Sequence, residues 1–269
     1  MKNKFLKILA IVIMLPVMLF TGCKKDDGGL ISEAEISEKY FNAIERSASS
    51  TIYSVNGTSV AKSNGVVIGE DEISKTADGT NSYRVYKDAD RTIKSSFIKI
   101  ENNQYVEYQD DNGEKTTRFV SGEDANEEIV LLPEEDDEIF GLKSEYELKE
   151  FANKFFEKSL GIEESDIESR DEAAVKMELL DKDSYLMTLS AGCVGNGKDS
   201  YYKAMLVYKI WFNNSVTKYY TKLTVVELNQ DKTVKENGSN YYMEVETTIK
   251  YEFDESLKIS DFSSYPSID

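Results

Sequence analysis

The chain has 269 residues, a formal net charge of −18 and no histidine. Without an imidazole it cannot build a Ser-His-Asp or Cys-His catalytic centre, a histidine-ligated zinc site or an HExxH hydrolase site. The negative charge repels nucleic acid and anionic lipid headgroups, so the sequence predicts neither as a partner.

The first 25 residues have the pattern of a secretion signal. Three lysines precede an apolar run of 13 residues from Ile8 to Phe20, and Thr21 and Gly22 follow before Cys23. A spanning helix needs roughly 17 to 25 apolar residues, so a transmembrane anchor is the weaker alternative. The segment from Leu19 to Cys23 resembles the bacterial lipoprotein signal, although Phe20 stands where that signal usually has Leu, Val or Ile.

The resemblance implies that residues 1–22 are removed and that Cys23 is acylated. Residues 23–30 then form a tether on the extracytoplasmic face of the cell membrane, as in lipoproteins of Gram-positive bacteria. The signal contains three lysines and no carboxylate, so the remaining chain carries a net charge of −21. Cys193 is left as a single thiol with no partner for an intramolecular disulfide.

Two helices are predicted from capping boxes and apolar spacing. Ser32 and Glu35 start a helix over residues 32–49, and Ser144 and Glu147 start another over residues 145–160. The second helix places Leu148, Phe151 and Phe155 on one side, which predicts a buried helix. Between the two helices, the carboxylates of residues 123–138 lack the order of a calcium-binding loop. No metal site, cofactor or catalytic residue is predicted.

The rest of the sequence predicts antiparallel strands. Asn-Gly and Asp-Gly pairs at residues 56, 64, 78 and 112 predict tight turns between about six strands over residues 52–120. About five further strands follow between residues 173 and 253, and a glycine run at residues 192–197 is placed between two of them. The last strand alternates most regularly and puts seven side chains on one face: Tyr241, Met243, Val245, Thr247, Ile249, Tyr251 and Phe253.

These elements predict an α+β fold that is mainly antiparallel β. A helix covers a strip about 10 Å wide, whereas eleven strands spaced about 4.8 Å apart span roughly 50 Å. We therefore expect a strongly curved sheet, a half-barrel of about eleven strands, with an N-terminal helix and a mid-chain helix and flap. Residues 31–269 are predicted to form one domain, with halves 31–122 and 144–260 joined by an acidic loop at 123–143.

This order of elements resembles the lipoprotein-carrier fold of the LolA family and of the mycobacterial LppX and LprG lipoproteins. The resemblance implies a lipid or hydrophobic ligand held against Met243, Val245, Ile249, Tyr251 and Phe253. The helix bearing Leu148, Phe151 and Phe155 would then serve as a lid. The alternative is a non-enzymatic surface module whose apolar faces close into a filled core and whose loops contact a protein partner. A carrier predicts a dry pocket, and a module predicts an exposed apolar patch.

Overall fold

The computed structural model describes residues 31–100, 102, 104–123, 133, 138–160, 163–196, 201–233, 242–259 and 261–268. The predicted signal and tether, with Cys23, lie outside these residues, as does most of the predicted acidic loop. Contacts divide the chain into residues 1–32 and a second compact unit from Glu33 to Asp269.

Two α-helices of the second unit lie within the residues that the structure describes. They are α1 (Glu33–Ala48) and α2 (Glu145–Leu160), within a residue of the predicted bounds. The hydroxyl oxygen of Ser144 accepts the backbone N–H of Glu147 at 3.2 Å, so the N-cap predicted for α2 is present. Two short 3₁₀ helices, Glu138–Gly141 and Glu164–Asp166, flank α2.

Twelve strands form one antiparallel sheet. In chain order they are β1 (Ile52–Ser63), β2 (Val66–Asp78), β3 (Ser82–Lys87), β4 (Thr92–Lys99), β5 (Gln104–Asp111), β6 (Glu114–Ser121), β7 (Ile167–Arg170), β8 (Ala174–Asp181), β9 (Ser184–Asn196), β10 (Tyr201–Phe212), β11 (Val216–Leu228) and β12 (Tyr242–Glu252). Their order across the sheet is β6-β5-β4-β3-β2-β1-β12-β11-β10-β9-β7, with β8 also paired to β9. The sheet is open, and its strong curvature stays a prediction.

The sheet has twelve strands where about eleven are predicted. The strand that the prediction omits is β7, which pairs through its backbone with Val194 and Cys193 at the end of β9. Two details of the prediction are wrong. Asn56 and Gly57 do not form a turn but lie within β1, where pairing with both β2 and β12 keeps the chain extended. Residues 192–196 lie within β9 rather than between strands.

The turns predicted after β1 and β5 are present. Asn64 and Gly65 have φ values of 49° and 80°, and Asn112 and Gly113 have 51° and 97°. Two consecutive positive φ angles are typical of the tight hairpin turn that matches the twist of antiparallel strands. These turns therefore fix the β1–β2 and β5–β6 hairpins.

The register divides the side chains into two faces, because residues directly opposite in an antiparallel pair point the same way. Face A carries Val55, Tyr251, Leu206 and their neighbours in register. Face B carries Asn56, Lys250, Val207 and the residues opposite them in the register. Both α-helices pack on face A.

Helix α1 is fixed over face A by an aromatic and a polar contact. The ring of Tyr40 meets that of Phe212 edge-on at 5.3 Å. At the C-terminal end of the helix, the buried hydroxyl of Ser47 accepts the N–H of Val216 at 2.8 Å. Because Tyr40, Ser47 and Phe212 are almost fully buried, α1 forms part of the core.

Candidate functional site

The residues predicted to line a cavity lie together on face A. Ile249 and Tyr251 are buried, whereas Met243, Val245 and Phe253 are half-buried. In the register Val245 lies opposite Leu223 of β11 and Ala61 of β1. The alternation of β12 therefore predicted the shared face, because one face of this strand is covered and the other is wet.

The two buried residues of this set contact other apolar side chains. The ring of Tyr251 meets Phe140 of the first 3₁₀ helix edge-on at 5.1 Å and stacks on Phe253 at 6.1 Å. Ile249 packs over Gly57, where a Cβ atom would lie 2.1 Å from its Cδ1. At this end of β12, face A is therefore occupied by protein atoms.

The predicted lid helix lies over the same face, further along the sheet. Leu148 is fully buried, and the ring of Phe151 meets those of Tyr208 at 5.9 Å and Phe155 at 6.0 Å. Arg170 of β7 donates hydrogen bonds to the carbonyl of Asn153 at 2.8 Å and to Glu157 at 2.6 Å. These contacts hold α2 against β7 and β10.

A pocket of about 490 Å³ lies on the opposite side of the sheet, on face B. It spans β12, β1, β2 and β3, and ten residues line it: Asn56, Gly57, Thr58, Glu72, Ile73, Ser74, Val85, Lys87, Thr248 and Lys250. The ammonium of Lys87 bonds to Glu72 at 3.1 Å on its rim. The lining combines hydroxyl, amide and charged groups with the apolar side chains of Ile73 and Val85.

A network of charged side chains on face B joins β1, β11 and β12. Lys222 contacts Glu244 at 2.7 Å and Glu246 at 3.0 Å, and Lys62 lies 3.5 Å from Glu244. The hydroxyl of Tyr220 donates to Glu246 at 2.9 Å. Glu244 and Glu246 occupy alternate positions of β12, so the sequence predicts that they share a face. Their lysine partners lie on β1 and β11, and the sequence does not predict that pairing.

The network shifts the pKa values of Lys222, Glu246 and Tyr220 away from neutrality. Hydrogen bonding to Glu244 raises the pKa of Lys222, although partial burial opposes the shift. Hydrogen bonds from Lys222 and Tyr220 lower the pKa of Glu246. A general acid or base works best with a pKa near the ambient pH, so these shifts are typical of a structural ion-pair network.

Cys193 is buried on face A of β9, and burial raises the pKa of its thiol. A raised pKa disfavours the nucleophilic thiolate. Within the described ranges, no group of three or more carboxylates and cysteines is placed to hold a metal ion. In the same part of the chain, no helix is long and apolar enough to cross a membrane.

Comparison with known proteins finds similarity among solved structures. No protein-family model matches the chain, and no curated protein matches it. Among solved structures, the chain is similar to a DUF1329 family protein from Desulfovibrio piger, at 8% sequence identity and a TM-score of 0.22. The match covers 83% of this chain and 95% of that chain. A similarity at this TM-score carries no argument about fold or function.

Proposed function

We propose that the chain is an extracytoplasmic lipoprotein, anchored through acylated Cys23, that acts as a non-enzymatic binding module with a filled core. The observation that carries the proposal is the packing of Phe140 on Tyr251. This contact places protein side chains where a carrier would hold its ligand. Leu148, Phe156 and Ile139 are also fully buried, which supports a core built from side chains.

The absence of histidine from the sequence and the pKa directions of Lys222 and Glu246 support the non-enzymatic part of the proposal. A lysine base needs a lowered pKa, and a carboxylic general acid needs a raised one. Both groups are shifted the other way. We infer that the network stabilises the β1–β12–β11 pairing instead of performing chemistry.

A hydrophobic-ligand carrier is the second candidate, and one observation favours it. Met243 and Val245 are half-buried, while Leu223 and Val225 opposite them are buried apolar residues of face A. Along β12, Val245 and Met243 precede Tyr251, which contacts Phe140, by six and eight residues. A ligand held here would lie beside the packed part of the face and would not need to displace Phe140.

Native mass spectrometry of residues 24–269, produced without the signal, separates the two candidates. A filled-core module is expected to give a single mass without bound lipid and no uptake of added fatty acid or phospholipid. A stoichiometric lipid that is lost in Val245→Asp would overturn the proposal in favour of a carrier. Thr248→Asp is the matched control, because Thr248 is on the same strand and points to face B.

A further inference from the structure

The tip of the β1–β2 hairpin exposes three consecutive apolar side chains, Val66, Val67 and Ile68. Their exposed fractions are 66%, 51% and 61%. They directly follow the Asn64–Gly65 turn, and we call these three residues the hairpin tip. In the register Val66 lies opposite Ser63 and Val67 opposite Lys62, so the two valines point to opposite faces and the hairpin tip exposes apolar groups on both of them. Single exposed apolar residues are ordinary on protein surfaces, whereas several gathered at one place indicate an interaction site.

The backbone of the hairpin tip is paired on one side only within the described residues. β3 pairs with β2 from Glu72 to Ala77, so residues 66–71 of β2 pair with β1 alone. A shift in register between Ala61 and Lys62 leaves Ile68 without a residue directly opposite it. A β-bulge of this kind changes the direction of a side chain. The exposed edge strands of native sheets commonly carry charged residues, which discourage pairing with strands of other chains. This edge carries charges only at Glu70 and Asp71, whereas its first three residues are valine, valine and isoleucine.

Carboxylates follow immediately behind the hairpin tip. Glu70, Asp71 and Glu72 are consecutive and exposed, and the turn after β3 adds Asp88 and Asp90. We call these five residues the acidic collar. Lys87, which contacts Glu72 at 3.1 Å, and Arg91, which contacts Asp111, are the cations closest to them in sequence. The collar is thus mainly negative.

We propose that the hairpin tip and the acidic collar dock a segment of another protein that presents apolar side chains next to lysine or arginine. The apolar groups would cover Val66, Val67 and Ile68, and the cations would meet the collar. The inference rests on the proposed function and names its contact surface. A second copy of this chain would bring like charges together, and the collar repels anionic lipid headgroups, so charge favours a basic protein segment over both.

The test is photo-crosslinking of the full chain with p-benzoylphenylalanine in place of Ile68. Three probes are offered: a synthetic peptide of alternating valine and lysine, the same peptide with glutamate for lysine, and vesicles of phosphatidylcholine and phosphatidylglycerol. We expect crosslinks to the lysine peptide only. Crosslinks that are equally strong with the glutamate peptide, that form mainly with vesicles or between copies, or that are absent altogether would overturn the inference.

Two controls make the result specific to this surface. The photoreactive residue at Phe119, which is 56% exposed on β6, is expected to crosslink none of the probes. Glu70→Gln combined with Asp90→Asn should lower the yield at position 68 about fivefold through the loss of two exposed charge pairs, whereas Glu33→Gln with Glu38→Gln on α1 should not. If the crosslinking result contradicts the docking surface, native mass spectrometry can still give the lipid-free mass that is expected of a filled-core module. The two proposals can therefore fail separately.

Discussion

The two halves of the sheet are covered in different ways. In the C-terminal half, β7–β12, face A is packed beneath α1, α2 and a 3₁₀ helix, while face B carries ion pairs. In the N-terminal half, β1–β6, apolar residues lie on both faces. Phe97, Tyr105 and Val120 cluster on face A. On face B, Tyr108 is covered by the segment after β12.

That segment is held by aromatic stacking. The ring of Phe262 stacks on Tyr108 at 4.5 Å, and Tyr265 meets Tyr108 edge-on at 5.4 Å. Lys115 lies 4.8 Å from the ring centre of Tyr265 and donates to the hydroxyl of Ser264 at 2.9 Å. One sheet is thus covered by helices on face A at one end and by a turn-containing C-terminal segment on face B at the other.

The largest expected effect is in the helix-covered half. Phe212 is almost fully buried between Tyr40 and Tyr185, with both ring centres 5.3 Å away. Phe212→Ala should lower the free energy of unfolding by about 3–5 kcal/mol because it leaves a cavity. Urea denaturation measures the loss, and Phe212→Leu should lose less. Phe119→Ala, at an exposed site, should change stability by no more than about 0.5 kcal/mol; similar losses at both sites would contradict the packing described.

An intermediate effect is expected where the two halves join. Gly57 of β1 has no room for a side chain, since a Cβ atom would lie 2.1 Å from Cδ1 of Ile249 and 3.1 Å from the carbonyl oxygen of Thr248. Gly57→Ala should therefore cost about 1–3 kcal/mol through overpacking. In an Ile249→Val background, which removes Cδ1, the same change should cost less. Equal costs in a double-mutant cycle would show that the two residues are not coupled.

The smallest effect is expected in the half covered by the C-terminal segment. Phe262→Ala removes the stacking on Tyr108 and should lower stability by about 1 kcal/mol. Hydrogen exchange should become faster in β5 and β6 while the amides of α1 keep their protection. A uniform change across both halves would contradict the idea that the segment covers only its own end of the sheet.

The helices and most strands could be predicted because their signals are local. Ser144 caps α2, and Asn64 with Gly65 supplies the positive φ angles of a hairpin. β7 could not be predicted, since its sequence Ile-Glu-Ser-Arg does not alternate and its pairing depends on β9. Asn56 and Gly57 gave a local turn signal that pairing with β12, almost two hundred residues later, overrides.

For the candidate site, the sequence predicted which residues of β12 share a face but not what covers them. The contact between Phe140 and Tyr251 joins residues from a short 3₁₀ helix and the last strand. The pocket on face B combines side chains from four strands, and no spacing within one strand indicates it. In both cases the missing information is the order of strands across the sheet.

The pairing of the first strand with the last has a consequence for how the chain folds. The hydroxyls of Ser59 on β1 and Thr247 on β12 are 3.0 Å apart although 188 residues separate them. β1 therefore has an unoccupied edge during synthesis until the ribosome has released nearly the whole chain. Contacts of such long sequence separation slow folding, and an uncovered strand edge invites aggregation while it lasts. We expect joining of the two halves to be a late step, so a nascent chain truncated before β12 would need a chaperone to remain soluble.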